Sequence, residues 1–148
     1  MIRQRVLFLC THNSARSQIA EGLLRHKAGE LFEVMSAGTE KTAVRPEAIE
    51  VMGEIGIDIS GHRSKTLDQF RGVEFDRVIT VCDDAAEACP TFPGTAQRIH
   101  WPLPDPGKVA GGHAERLEAF RRVRNQLDGL IEDFIASTSD HDSSARSA

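Results

Sequence analysis

The chain has 148 residues, 18 basic and 22 acidic side chains and a formal net charge of −4, which describes one domain with enough apolar side chains to bury a core. That charge argues against a broad nucleic-acid or anionic-membrane surface, so any anion site must be local. No apolar run approaches the roughly 20 residues of a membrane span, and the start at Met1-Ile2-Arg3-Gln4-Arg5 has no signal-like pattern, so a cytoplasmic protein is expected, with neither membrane nor nucleic acid as partner.

Val6-Leu7-Phe8-Leu9 is a short apolar run that reads as a buried parallel strand. Behind it come Cys10-Thr11-His12-Asn13-Ser14-Ala15-Arg16-Ser17, then the periodic apolar positions Ile19, Ala20, Leu23 and Leu24 of a helix that should end near Gly29. Strand, loop and helix in this order make an oxyanion site. Backbone N–H groups converge in the turn, the helix N-terminus adds partial positive charge, and the Arg16 fork can clamp two oxygens. The same positive field favours the thiolate of Cys10 as nucleophile. Asn13 tolerates the left-handed backbone that convergence of successive N–H groups requires. Ser17 suits either a hydrogen bond to the thiolate or a plain helix cap. His12 fits both an added positive charge and a solvated side chain.

Phe32 to Gly38 reads as a second strand closed by a glycine turn, and Pro46 opens a helix with Ala48, Ile49, Met52 and Ile55 on one face and Gly56 as its stop. Ser60 to Phe70 holds a short helix or turn. Phe75 to Val81 is a third strand that leads straight into Cys82, and Arg98 to Trp101 is a fourth. Pro102 to Gly112, with three prolines and three glycines, is a loop. Leu117, Phe120, Val123, Leu127, Leu130, Ile131 and Phe134 form the stripe of a last helix. One catalytic domain over 1–136 follows, and residues 137–148 offer nothing to bury and are expected to fray.

Alternating strands and helices imply a parallel sheet with helices on both faces, and ligands of such sheets sit beyond the C-terminal strand ends. Cys10 and Cys82 both fall there, and they meet if their strands are neighbours. Cys89 lies seven positions after Cys82 in an Ala- and Glu-containing stretch that favours helix, which sets the two Cα atoms roughly 10 Å apart. A disulfide needs them within about 7 Å, so the pair bonds only if the segment unwinds or starts irregular. Two small buried hydrophobes on one helix face account for the same pair; a zinc pattern is absent. Asp105-Pro106 puts a carboxylic acid at the Cys10 end of the sheet, where it can protonate a leaving oxygen, although Asp-Pro also starts turns. His62, His100 and His113 show no ligand spacing.

Cys10 to Gly22, Ser36-Ala37-Gly38, Ile57-Asp58-Ile59-Ser60, Val81-Cys82, Cys89-Pro90, His100-Trp101 and Asp105-Pro106 together resemble the low-molecular-weight phosphatase superfamily and, more closely, its thioredoxin-coupled arsenate reductases. The likeness runs from about Arg5 to Phe134. It implies an α/β three-layer sandwich with a four-stranded parallel sheet, no cofactor, and a thiol relay. Cys10 attacks arsenate held by the Thr11 to Ser17 loop and Arg16, and Asp105 protonates the departing oxygen. Cys82 then forms a disulfide with Cys10, and Cys89 takes it over as Cys82–Cys89 for thioredoxin to reduce. The alternative is a low-molecular-weight protein tyrosine phosphatase with a Cys10 phosphocysteine intermediate; a non-enzymatic redox sensor is a further one.

The chain also departs from its relatives. Ala15 stands where many of these reductases carry another cysteine. Some relatives hold potassium through residues matching Asn13, Glu21, Ser36 and an acid at position 65; here Lys65 supplies an ammonium in its place, and no metal site is expected. The chain has no tyrosine, and Gly107 replaces the phosphatase branch's Asp-Pro-Tyr tyrosine, which leaves nothing to stack on a substrate ring. The electron donor stays open, because relatives with other thiol sets use glutaredoxin or mycothiol.

Overall fold

A computed structural model describes the backbone of residues 2–83 and 92–147, with side chains as far as 138. Its four strands, β1 (Gln4–Leu9), β2 (Phe32–Ala37), β3 (Arg77–Thr80) and β4 (Gln97–His100), form one parallel sheet in the order β2-β1-β3-β4. The helices are α1 (Arg16–Ala28), α2 (Pro46–Gly53) and α3 (His113–Ser147), with 3-10 turns at Leu67–Phe70 and Pro106–Lys108.

The alternation of β1 divides the core. Val6 and Phe8 point to the face covered by α1, α2 and α3, where Ile19, Leu23, Met52, Phe120, Leu127 and Ile131 close around them. Leu7 and Leu9 point to the other face, which is covered by Phe75 and Phe92 with Leu67 and Phe70 of the 3-10 turn. Of the stripe on α3, six positions are buried and Leu130 is half-buried. Regular helix continues beyond the stripe to Ser147, past the end expected at 136, and at Thr138 the hydroxyl donates to Phe134 O at 2.9 Å. Gly56, at φ +79°, ends the α2 region, with Ile57 N–H returning to Met52 O at 3.0 Å.

The register places the reactive ends side by side. Leu9 pairs with Ala37 on one side and Thr80 on the other, so the backbone following β1 and that following β3 leave the sheet together. Cys89 and the proposed helix over 82–89 lie outside the described residues. Among the described residues no helix is long and apolar enough to cross a membrane.

The α2–α3 seam carries a charge cluster. Glu54 receives Arg121 Nε at 3.0 Å and Arg124 Nη1 at 2.8 Å, and the hydrogen bonds from Arg121 and then Arg124 pull its pKa down to about 2. A carboxylate with a depressed folded pKa stabilises the fold above its unfolded value and loses that contribution as pH falls toward the folded one. Thermal unfolding followed from pH 5 to pH 2 should therefore show a shallower acid decline for Glu54→Gln than for wild type. Parallel declines would remove Glu54 from the acid response.

Candidate active site

Residues 10–15 bridge β1 and α1, and what orients them is where their carbonyls go. Thr11 O accepts the N–H groups of Thr39 (2.9 Å) and Glu40 (3.2 Å). His12 O accepts the hydroxyls of Thr42 (3.0 Å) and Ser64 (3.1 Å), Asn13 O accepts Gln18 Nε2 (3.1 Å), and Ser14 O accepts the Arg45 N–H (2.9 Å). Four successive carbonyls are thus engaged by groups outside the loop. In a trans peptide the next residue's N–H points opposite to the carbonyl, so the N–H groups of His12, Asn13, Ser14 and Ala15 face into the loop. They find no hydrogen-bond acceptor among the described residues. Such convergent donors at a helix start form an anion cradle.

Asn13 makes the turn possible, with φ at +50°, the one positive value among the described non-glycine residues. Its side chain is completely buried: Oδ1 accepts Gln18 Nε2 (2.9 Å) and the Lys65 N–H (2.7 Å), while Nδ2 donates to Ser17 Oγ (2.8 Å). Ser17 Oγ in turn lies 2.8 Å from Cys10 Sγ, itself only 2 % exposed. With Nδ2 supplying a proton to the Ser17 oxygen, the hydroxyl hydrogen is available to Cys10. Ser17 is therefore a partner of the thiol. The helix cap is Ala15, which makes no side-chain capping bond.

Arg16 is buried, with Nη1 donating to Leu103 O at 3.0 Å and Nη2 3.9 Å from Asp105 Oδ2. The Pro102–Gly112 loop thus sits over the cradle and presents Asp105 to it. Asp105 Oδ1 accepts the Gly107 N–H (2.9 Å), so one oxygen caps the turn and the other faces Arg16. The turn-starting reading of Asp105 holds, and its second oxygen is placed beside Arg16. His12 Nδ1 lies 3.1 Å from Glu40 Oε2. Cys82 is fully buried, and its Sγ lies 3.9 Å from Leu9 O, on the residue immediately before Cys10.

Beneath Asn13 lies a compact charge cluster. Glu21, 4 % exposed, accepts the Ser36 hydroxyl, pairs with Arg25 Nη1 at 2.8 Å, and has Lys65 Nζ at 3.5 Å and His62 Nδ1 at 3.6 Å. Burial pushes the Lys65 and His62 pKa values down against the pull of Glu21. The Lys65 ammonium occupies this cluster, as its replacement of an acid suggested. Among the described residues no group of three or more His, Cys, Asp or Glu side chains is arranged to hold a metal.

Sequence reasoning passed over Gly38, Gln18 and Ser64, and it assigned His62 nothing. A Cβ on Gly38 would lie 2.6 Å from Thr11 O and 2.8 Å from both Asn13 N and Cys10 O. The loop rests directly on this glycine, whose position after β2 in Ser36-Ala37-Gly38 was its one available signal. Gln18 ties Asn13 to Arg63 O (2.8 Å) and to His62 Nδ1 (3.1 Å).

Comparisons with known proteins agree with this geometry. The family described as low molecular weight phosphotyrosine protein phosphatase matches residues 5–143. The chain is 43% identical over 134 residues to an arsenate reductase of Halalkalibacterium halodurans, covering 90% of this chain and 96% of that one. A solved arsenate reductase in its phosphate-binding state superposes with a TM-score of 0.77 at 36% identity, covering 90% of this chain and 98% of its own. A thioredoxin-dependent arsenate reductase of Corynebacterium glutamicum gives 0.67 at 32%, covering 91% and 61%.

Gly38→Ala tests the loop's foundation. The forced Cβ should destabilise the fold by about 1–3 kcal/mol in denaturant unfolding and weaken calorimetric phosphate binding. Wild-type values in both measurements would show that the loop does not depend on this contact.

Proposed function

The chain belongs to the low-molecular-weight phosphotyrosine protein phosphatase family, and within it we propose that it reduces arsenate to arsenite through cysteine thiols. The observation that carries this reading is Cys82, a second buried thiol at the end of the strand beside β1, against the residue preceding Cys10. Phosphate-ester hydrolysis through Cys10 needs no such neighbour; a two-electron reduction does.

The inward N–H groups of the loop and the Arg16 guanidinium hold the oxyanion above Cys10, whose thiolate accepts a hydrogen bond from Ser17. Sulfur attacks arsenic, and the oxygen opposite departs as water on a proton from Asp105. Cys82 next attacks Cys10 Sγ: a sulfur–sulfur bond forms, the sulfur–arsenic bond breaks, and its electron pair stays on arsenic, which leaves as arsenite. Cys89 attacks Cys82 and releases Cys10 as thiolate, and thioredoxin reduces the Cys82–Cys89 disulfide. Two thiols become one disulfide, and arsenic goes from five to three. The same cradle suits a phosphate monoester, so weak phosphatase activity accompanies this function.

The decisive measurement is arsenite production in the presence of thioredoxin, thioredoxin reductase and NADPH. Cys10→Ser, Cys82→Ser and Cys89→Ser should each abolish multiple turnover. In a single turnover without thioredoxin, Cys89→Ser should still release arsenite and Cys82→Ser should not. A Cys82→Ser enzyme with the wild-type rate would overturn the relay. Replacing thioredoxin by glutaredoxin or mycothiol identifies the donor.

A further inference from the structure

Arg45 stands at the seam of three parts of the site. Its backbone N–H holds Ser14 O, the last of the outward carbonyls, and it caps α2 with φ −66° and ψ 135°. Its guanidinium lies on the Asp105 turn. A Cβ placed on Gly107 would have Asp105 Oδ1 at 3.2 Å, Arg45 Cζ at 3.5 Å and Arg45 Nη2 at 3.6 Å. The guanidinium and the Asp105 carboxylate thus meet at one corner, over the bare backbone of Gly107.

The guanidinium is held but not neutralised. Nη2 pairs with Glu47 Oε2 at 3.1 Å, and the same oxygen takes Arg116 Nε at 3.4 Å, so two cations share one carboxylate. Burial alone would raise the Glu47 pKa; its own backbone N–H and the two arginines outweigh that and lower it, so Glu47 remains anionic. Arg45 Nε is buried and finds no hydrogen-bond partner among the described residues. The side chain as a whole is 38 % exposed, so the guanidinium remains reachable by an acceptor from outside the chain.

We propose that Arg45 is the specificity-determining residue of the site, a second guanidinium that favours a free inorganic oxyanion over its organic monoester. The inference rests on the reading of Cys10 and Asp105 given above. The loop amides and Arg16 take the oxygens facing the cradle. The remaining oxygen, which Asp105 protonates, faces the corner that Arg45 occupies. A free oxyanion presents charge there and gains a charge-assisted hydrogen bond; a monoester presents carbon, which desolvates the guanidinium and returns nothing.

Binding to an unreactive Cys10→Ser chain separates this inference from the arsenate chemistry. Calorimetry with arsenate, inorganic phosphate and phenyl phosphate would compare Arg45, Arg45→Lys and Arg45→Met in that background. All three retain the backbone N–H to Ser14. Arg45→Met should weaken arsenate and phosphate about tenfold and leave phenyl phosphate within about twofold, and Arg45→Lys should restore most of the loss. Equal affinities for arsenate in all three, or the same loss for free and esterified anions, would overturn the proposal, the second by reducing Arg45 to a support of the loop. If the chain with Arg45 intact binds none of the three anions, the assignment of the oxyanion loop fails and this inference fails with it. Discrimination by Arg45 in a chain that turns over no arsenate would uphold the inference and sink the reductase reading.

Discussion

Four consecutive carbonyls, from Thr11 to Ser14, point away from the loop they belong to, and most of the molecule near the site is arranged to receive them. A short loop has as many acceptors as donors, and left to itself it would satisfy one with the other. Here Thr39, Glu40, Thr42, Ser64, Gln18 and Arg45 take the acceptors from outside. The donors are left facing a common point. Preorganised donors of this kind need no reorganisation when a charge arrives, which is the property an oxyanion site exploits. The cost of keeping them unpaired is met by the sheet, by α1 and by the two stretches after β2 that carry the carbonyls' partners.

The charges follow from the same constraint. A cradle of N–H dipoles with a buried Arg16 is positive, and Cys10 stands at its start with Asp105 beside Arg16. One shell further out, Asn13 passes the strain of its left-handed backbone to Gln18 and to the Lys65 N–H, and below them Glu21 gathers Arg25, Lys65, His62 and the Ser36 hydroxyl. Buried carboxylates persist where paired and hydrogen-bonded, and Glu21 is both. Lys65 contributes twice, by its backbone to Asn13 and by its ammonium to Glu21. A tethered cation at this place binds the Ser60–Phe70 segment to α1.

The chemistry of the site was legible where it is written in adjacent residues. Cys10 and Arg16 six apart between a strand and a helix, Asn13 at the turn and Asp105 before a proline each carry a local signature, and the strands came within one or two residues of their observed ends. The supports were not legible. Ser64 reaches His12 O across 52 positions and Gly38 supports Cys10 and Thr11 from the neighbouring strand. A serine hydroxyl or a glycine that serves a distant carbonyl looks like any other in sequence. Ser17 was ambiguous for a related reason: a hydroxyl at the start of a helix fits a cap, and only the fold shows that the thiol claims it. The Leu67–Phe70 turn covers a sheet face with too few residues to develop a period, and nothing in a stripe that ends at Phe134 announces helix as far as Ser147.

The burial of the thiols bears on why a relay of three is needed at all. Cys10 and Cys82 are 2 % and 0 % exposed, beyond the C-terminal ends of β1 and β3. That environment suits the first steps, because a dry site strengthens the electrostatic hold on the oxyanion and protects a sulfur–arsenic adduct from water. It is equally unsuited to the last. A macromolecular reductant must bring its own thiolate in line with a disulfide sulfur, and a bond between two buried cysteines offers no such approach. On the proposed relay, the burial of Cys10 thus hides the product of its oxidation, and passing the disulfide on to Cys89 would resolve the conflict by setting Cys10 free.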